Sequence, residues 1–232
     1  MNYKLYQVGG SVRDELLGDQ PTDIDYLIVV DDKIPAKQAF ADLQTKLKED
    51  GYLIFSVKED HWTIRTKFPK DHPVYPKLTA DFQLAVTDDM TGTLYDNLYN
   101  RDFTINAMAK DVDTGEIIDP MGGMNDLLWC KLKIVSPNAF ISDPVRIIRA
   151  VRFAIQFDLE YGDNVIDAIE TIQLEQFLNI DDNRLKRELK KLFDCNTPVA
   201  VLRLYDLSVW NYTVYVHIFQ KIKLNPIVRS IK

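Results

Sequence analysis

Two acids separated by a single residue, Asp23 and Asp25, are the first feature of this chain with chemical meaning. They open the run Asp23-Ile24-Asp25-Tyr26-Leu27-Ile28-Val29-Val30, which alternates and then turns wholly apolar, as a strand entering a sheet interior does. Side chains two apart on a strand share a face, so the carboxylates stand side by side. Such a pair repels itself unless a cation lies between, and hard oxygen donors suit Mg²⁺ taken up together with substrate phosphates. Upstream, Gly9-Gly10 is followed by Arg13. Glycines let backbone N–H groups approach a phosphate, the helix N-terminus beyond them favours negative charge, and an arginine fork adds a bidentate contact. Either feature alone reads equally well as a solvated strand end or an ordinary turn. Their order within one short stretch is what narrows the chemistry.

The surrounding sequence supplies the elements that hold these groups. Tyr3 to Val8 reads as a strand, Ser11 to Leu17 as a helix stopped by Gly18, and Pro35 to Asp50 as a longer helix. Tyr52–Val57, His61–Phe68 and Ala80–Val86 read as strands, the last two joined by the Pro-rich connection 69–76. Thr87 to Asn100 reads as a loop with at most one helical turn. Glu116–Pro120 and Lys131–Val135 are further strands, with a short helix from Asn125 to Trp129 between them. From Asp143 the period is helical, with helices also over 163–172, 182–193 and 198–207. The expected architecture is α/β (α+β), with a mixed sheet in 1–136, followed by an α-helical domain over 137–232.

Composition bounds the function. The 232 residues are 46% hydrophobic and 27% charged, enough to bury a core, and the net charge of −7 argues against a general polyanion-binding surface while leaving room for a local basic cleft. Cys130 and Cys195 stand apart from one another and from the three histidines, which supports neither a disulfide framework nor a zinc site. No segment approaches the roughly 20 apolar residues of a membrane span, and no leader is visible, so a cytoplasmic protein without a membrane partner is expected. Trp129, Trp210 and the aromatics from Tyr205 to Phe219 read as core or interface, and the histidines as non-ligands. Lys186, Arg187, Lys190 and Lys191 form a basic cluster that reads as a solvated helix face or a contact for RNA phosphates.

Four ordered segments resemble one family. Val8-Gly9-Gly10-Ser11-Val12-Arg13-Asp14 with Leu16-Leu17-Gly18 and Asp23-Ile24-Asp25 resembles the signature of class II tRNA nucleotidyltransferases and bacterial poly(A) polymerases. Arg101-Asp102-Phe103-Thr104-Ile105-Asn106-Ala107 is similar to that family's Arg-Arg-Asp motif, and Asp119-Pro120-Met121-Gly122-Gly123 to its head-to-neck segment. Asp143-Pro144-Val145-Arg146-Ile147-Ile148-Arg149-Ala150-Val151-Arg152-Phe153 resembles the nucleotide-selecting helix, and Arg184 with Glu188 a weaker neck motif.

The resemblance implies a nucleotidyltransferase head followed by a helical neck, transferring CMP or AMP from CTP or ATP to an RNA 3′ end, with tRNA as acceptor. The alternatives are poly(A) polymerase and a catalytically silent nucleotide- or RNA-binding module. It implies that Asp23 and Asp25 bind Mg²⁺, with Mn²⁺ able to replace it, and that Asp81 is the third carboxylate. Gly9, Gly10 and Arg13 would contact the triphosphate, Arg101 the incoming nucleotide and Asp102 its ribose. Asp143 and Arg146 would read the base edge, with Arg149 and Arg152 toward phosphates.

The chain also departs from the pattern. Ser142 stands where the family has Glu, Asn100 replaces the first Arg of its motif, Val86 replaces a frequent Arg, and the segment to Asn100 is short. Full-length relatives continue into helical body and tail domains.

Overall fold

The computed structural model describes residues 2–173, 175–176 and 180–221, and it divides into two compact units, residues 1–125 and 126–232. The first carries a seven-stranded mixed sheet in the order β3-β4-β5-β2-β1-β8-β9. Its strands are β1 (Tyr3–Val8), β2 (Asp23–Val30), β3 (Leu53–Lys58), β4 (Thr63–Lys67), β5 (Thr79–Leu84), β8 (Ala109–Asp111) and β9 (Ile117–Ile118). β2 and β5 run parallel, while β1 against β2 and β4 against β5 are antiparallel. α1 (Gly10–Leu17) follows the glycine turn, and α2 (Ala36–Glu49) lies between β2 and β3.

Alternation decides which face is which. Ile24, Tyr26 and Ile28 of β2, Ile64 of β4 and Ala80, Phe82 and Leu84 of β5 form one buried cluster with Ala39, Phe40, Leu43 and Leu47 of α2. Their neighbours in sequence, Asp23, Asp25, Arg65 and Asp81, must therefore point from the opposite face. There a smaller cluster joins Val8, Leu27, Ala85, Leu94 and Leu98 at the β1–β2 side.

The segment after β5 is more ordered than the sequence implies. A hairpin of β6 (Val86–Thr87) and β7 (Met90–Thr91) turns through Asp88 and Asp89, both left-handed, and α3 (Leu94–Tyr99) follows with a Thr93/Asp96 capping box. The buried Thr91 hydroxyl donates to the Asp32 carbonyl at 2.9 Å and accepts from the Ile34 amide at 3.0 Å, which ties the hairpin to the start of α2.

The second unit contains α5 (Ala139–Ser142), α6 (Arg146–Gln156), α7 (Asp163–Thr171), α8 (Asp182–Cys195), α9 (Thr197–Trp210) and α10 (Tyr212–Lys221). α4 (Gly123–Leu128) spans the division between the units. The division falls at 125/126 and not at 136/137 because β10 (Lys131–Leu132) pairs in parallel with β11 (Glu160–Tyr161), and Asp126 takes Lys133 at 2.6 Å. Helical periodicity began one corner too early. Asp143 has φ −152° and ψ 90° and lies between α5 and α6, since the residue before a proline is pushed out of the helical region.

The aromatics divide. Trp210 packs edge-on against Tyr161 at 5.1 Å, but Trp129 is 72% exposed and is no core residue. His72 stacks on Tyr75, and the side chains of His217 and Phe219 lie outside the described residues. Lys186, Arg187, Lys190 and Lys191 are all exposed on α8. No described helix is long and apolar enough to cross a membrane.

Candidate active site

In the first unit the sequence candidates converge at one place. The chain leaves β1 at Val8 and turns through Gly9, whose φ of 74° and ψ of −136° lie where a side chain is strained. A Cβ at Gly9 would stand 2.5 Å from Nη1 of Arg101 and 3.8 Å from Oδ2 of Asp25, so the bare backbone here is what lets the guanidinium in beside the carboxylate. The Gly9 amide is itself used, donating to the Met108 carbonyl at 3.2 Å. Arg101 is steered from α3, where its Nε and Nη2 donate to Oδ1 of Asn97 at 3.1 and 3.0 Å, and from the following turn, where Nη1 donates to the Asn106 carbonyl at 3.3 Å. Burial works against its charge, while Asp25 and Asp102 favour it.

Asp25 is the perturbed acid. Burial pushes its carboxyl up to about 6; Arg101 opposes this, and the negative charges of Asp23 and Asp81 add to it. Asp81 faces Asp25 across the parallel β2–β5 register, and Arg65 holds it through two bonds of 2.7 and 2.5 Å. Among the described residues no three acid, His or Cys side chains gather as a metal cage. The donor set nevertheless fits Mg²⁺, which is characteristically held by one or two carboxylates and completes its shell with substrate phosphates. A buried carboxyl raised by neighbouring anions is a site that a cation relieves.

Arg13 and Asp102 are both largely buried. Arg13 is 6% exposed, lies under Gly10, and donates to Asp14 at 2.9 and 2.6 Å and to the side-chain oxygen of Asn106. Here the donors of this guanidinium are turned inward onto Asp14 and Asn106. Asp102, also buried, accepts from the Asn106 side-chain amide at 3.0 Å and the Phe103 amide at 2.8 Å. Asn106 thus bridges Arg13 and Asp102 and was not singled out from the sequence. Its signal is an amide side chain within Phe103–Met108, a buried stretch that is otherwise apolar apart from Thr104. Gly123, whose Cβ would collide with the Thr104 carbonyl, lets the Asp119–Gly123 turn close onto the backbone of this segment.

The second unit assembles its own set. Arg146 Nε lies 3.7 Å from Oδ2 of Asp143, and Nη1 donates to the Ala139 carbonyl at 3.2 Å and to Ser142 Oγ at 3.4 Å. Arg184 of α8 binds the same Asp143 oxygen. Beside this trio lies a cleft of about 590 Å³ lined by Ile141, Asp143, Val145, Gln176, Ile180 and Arg184, a volume suited to a small ligand. Arg149 is partly exposed, with its guanidinium 5.1 Å from the Phe153 ring. Arg152 does not face outward toward phosphates: it is 8% exposed and donates to Glu188 at 2.6 Å and Gln156 at 2.8 Å.

Residues 5–133 match the family model described as the Poly A polymerase head domain. The Multifunctional CCA protein of Xanthomonas oryzae pv. oryzae is 32% identical over 225 residues, covering 88% of this chain and 48% of that protein. Its counterpart in Neisseria gonorrhoeae is 38% identical over 179 residues, 70% of this chain and 37% of that one. Among solved structures, a CCA-adding enzyme in complex with ATP superposes with TM-score 0.73 at 30% identity, over 90% of this chain and 48% of that enzyme. The Thermotoga maritima CCA-adding enzyme complexed with tRNA superposes with TM-score 0.71 at 27% identity, over 90% and 47%. The chain spans about half the length of the curated relatives it matches.

Proposed function

The chain belongs to the class II tRNA nucleotidyltransferase family, and from that premise we propose that it is a template-independent RNA 3′-end nucleotidyltransferase, transferring CMP and/or AMP from CTP or ATP to tRNA. The observation that carries the reading is the contact of Arg101 with the bare Gly9 backbone beside Asp25. It gathers a carboxylate, a cation and a helix N-terminus where a triphosphate would lie.

Asp23 and Asp25 hold the divalent cation, Mg²⁺ or Mn²⁺, with Asp81 flanking them. When bound, that ion neutralises phosphate charge and lowers the pKa of an attacking hydroxyl. Gly9 and Gly10 bring the backbone of α1 close to the phosphates, and Arg101 adds positive charge on the same side. Arg13 acts from beneath, holding the turn through Asp14 and Asn106. Asp102, fixed by Asn106, accepts from a ribose hydroxyl.

In the helical unit, which we read as the family's neck, Asp143 and Arg146 offer an acceptor and a fork of donors to the base edge. Arg149 reaches toward phosphate, and Arg152 anchors α6 to α8. The fold and the absence of a spanning helix among the described residues suit a cytoplasmic enzyme. The test is incubation with labelled CTP or ATP and tRNAs lacking one, two or three terminal nucleotides. Extension of the shortened tRNAs is expected, and absence of label on every acceptor defeats the reading.

A further inference from the structure

Residues paired across strands point to the same face, so the register orders everything on the carboxylate side of the sheet. One row runs Asp25, Asp81, Arg65, Ser56 from β2 out to the edge strand β3. A second runs Asp23, Thr79, Lys67, Leu53, and a third Leu27, Gln83, Thr63, Lys58. Each row carries a polar or basic residue over β4 or β3, the second ending on the exposed Leu53, and Lys58, Arg65 and Lys67 are all exposed. The opposite face of the same strands is apolar and packed against α2. At the bulge of β3, Phe55 is 51% exposed.

We propose that this basic flank of β3 and β4, formed by Lys58, Arg65 and Lys67, is the track along which the single-stranded 3′ end of the RNA acceptor reaches Asp25. The proposal rests on the nucleotidyl-transfer reading above. A hydroxyl can approach Asp23 and Asp25 only if the phosphates behind it are held against the repulsion of those carboxylates and of a chain carrying a net −7. Cations two and three strands out from β2, on β4 and β3, supply that attraction. Arg65 and Lys67 are two residues apart on β4, about 7 Å, so each meets a different phosphate. Arg65 also neutralises Asp81, the acid nearest the track, while its side chain remains 47% exposed. Phe55 offers a ring on which a base can stack.

The test is binding without turnover. Anisotropy of a labelled single-stranded RNA ending in CC is measured with the whole chain, in the absence of nucleotide, between about 50 and 200 mM salt. K58A/K67A is compared with K37A/K48A, which removes the same charge from exposed positions of α2 on the other side of the sheet. We expect the log–log salt slope of K58A/K67A to fall by about 1.4, at about 0.7 per single-strand phosphate contact, with CTP binding unchanged and K37A/K48A like the unaltered chain. An unchanged slope, an equal fall in both variants, or failure of the unaltered chain to bind the RNA overturns the track. Because the readout is binding, a chain that binds RNA through these lysines but transfers no nucleotide counts against the proposed function alone.

Discussion

Asp25 and Asp81 face each other across β2 and β5, yet Arg65 engages only Asp81 through two hydrogen bonds. The charge of Asp81 is therefore already matched by a two-bond pair, whereas Asp25 is opposed by the charge of Arg101 and Asp23 is exposed. Asp23→Ala and Asp25→Ala should each abolish CMP transfer while leaving the thermal unfolding curve cooperative. Asp81→Asn should retain measurable transfer and change stability by no more than about 1 kcal/mol, as for other solvent-exposed pairs. Single-turnover assays alongside thermal melts of the three variants check this. Full loss of transfer in Asp81→Asn places that acid with the other two.

The pH dependence follows from Asp25. Burial lifts its folded-state pKa to about 6, above its ordinary value of 3.8, so the folded chain favours the protonated form. The cost of holding it ionised is fully present above pH 6 and is relieved as pH falls through 6 toward 3.8. Without metal, Asp25→Asn should therefore stabilise the protein by about 1–2 kcal/mol at pH 7.5, and the gain should vanish near pH 4. Mg²⁺ competes with the same proton, so the Mg²⁺ concentration for half-maximal activity should climb below pH 6. Denaturant midpoints in chelator at the two pH values, and Mg²⁺ titrations of activity, measure both.

The sheet was readable because its strands alternate or run apolar: β1 and β2 fall where Tyr3–Val8 and Asp23–Val30 predict. The Gly9 turn and the acids on β2 were likewise visible as local spacing. Direction of side chains was not. Arg13 and Arg152 look like phosphate ligands in a linear motif, but the one turns in to Asp14 and Asn106 and the other to Glu188, partners 93 and 36 residues away in the cases of Asn106 and Glu188. The hairpin at 86–91 escaped notice because its anchor, Thr91, bonds to the backbone of Asp32 and Ile34, a contact that no periodicity records.

The Arg152–Glu188 pair ties α6 to α8 with both side chains buried, at 10% and 8% exposure. Removing one partner from such a pair strands the other charge and costs about 3–5 kcal/mol. Glu188→Ala should lower stability by that order. A paired Arg152→Met, Glu188→Leu variant should recover most of it, since the buried guanidinium leaves with its partner and the other cations near Glu188, Arg149 and Lys191, are partly or largely exposed. Urea midpoints for the single and double variants decide the matter, and additive losses contradict it.

Asp143 is shared by Arg146 and Arg184, so one acceptor is oriented from two helices. If the trio reads the base edge, Arg146→Ala should weaken discrimination of CTP and ATP against UTP and GTP by about 1–3 kcal/mol. Arg184→Ala should lower it less, because Arg146 still holds the carboxylate. Single-turnover competition between nucleotides gives the ratios, and selectivity unchanged in both variants removes the trio from base recognition.

The short segment after β5 bears on which nucleotide is added last. Reading a second base after the first requires the Asp143/Arg146 pair to be presented differently, and by family resemblance a flexible stretch at 86–100 assists that change. Here the stretch is a hairpin and a capped helix, pinned through Thr91 to Asp32 and Ile34 and through Asp89, whose carbonyl accepts from the Ala36 amide at 2.9 Å. Ser142, where the family resemblance leads one to expect Glu, gives Arg146 a hydroxyl at 3.4 Å. On the proposed function, a pinned stretch and a missing carboxylate are each expected to restrict presentation of a second base. We expect CMP addition to an acceptor lacking all three terminal nucleotides to proceed readily, and AMP addition to an acceptor ending in CC to be slow or absent. Thr91→Val, which deletes both hydroxyl bonds at nearly constant volume, should raise the AMP rate relative to the CMP rate if the clamp is what limits it. AMP addition as fast as CMP addition in the unaltered chain would show that a pinned hairpin places no restriction on the final step.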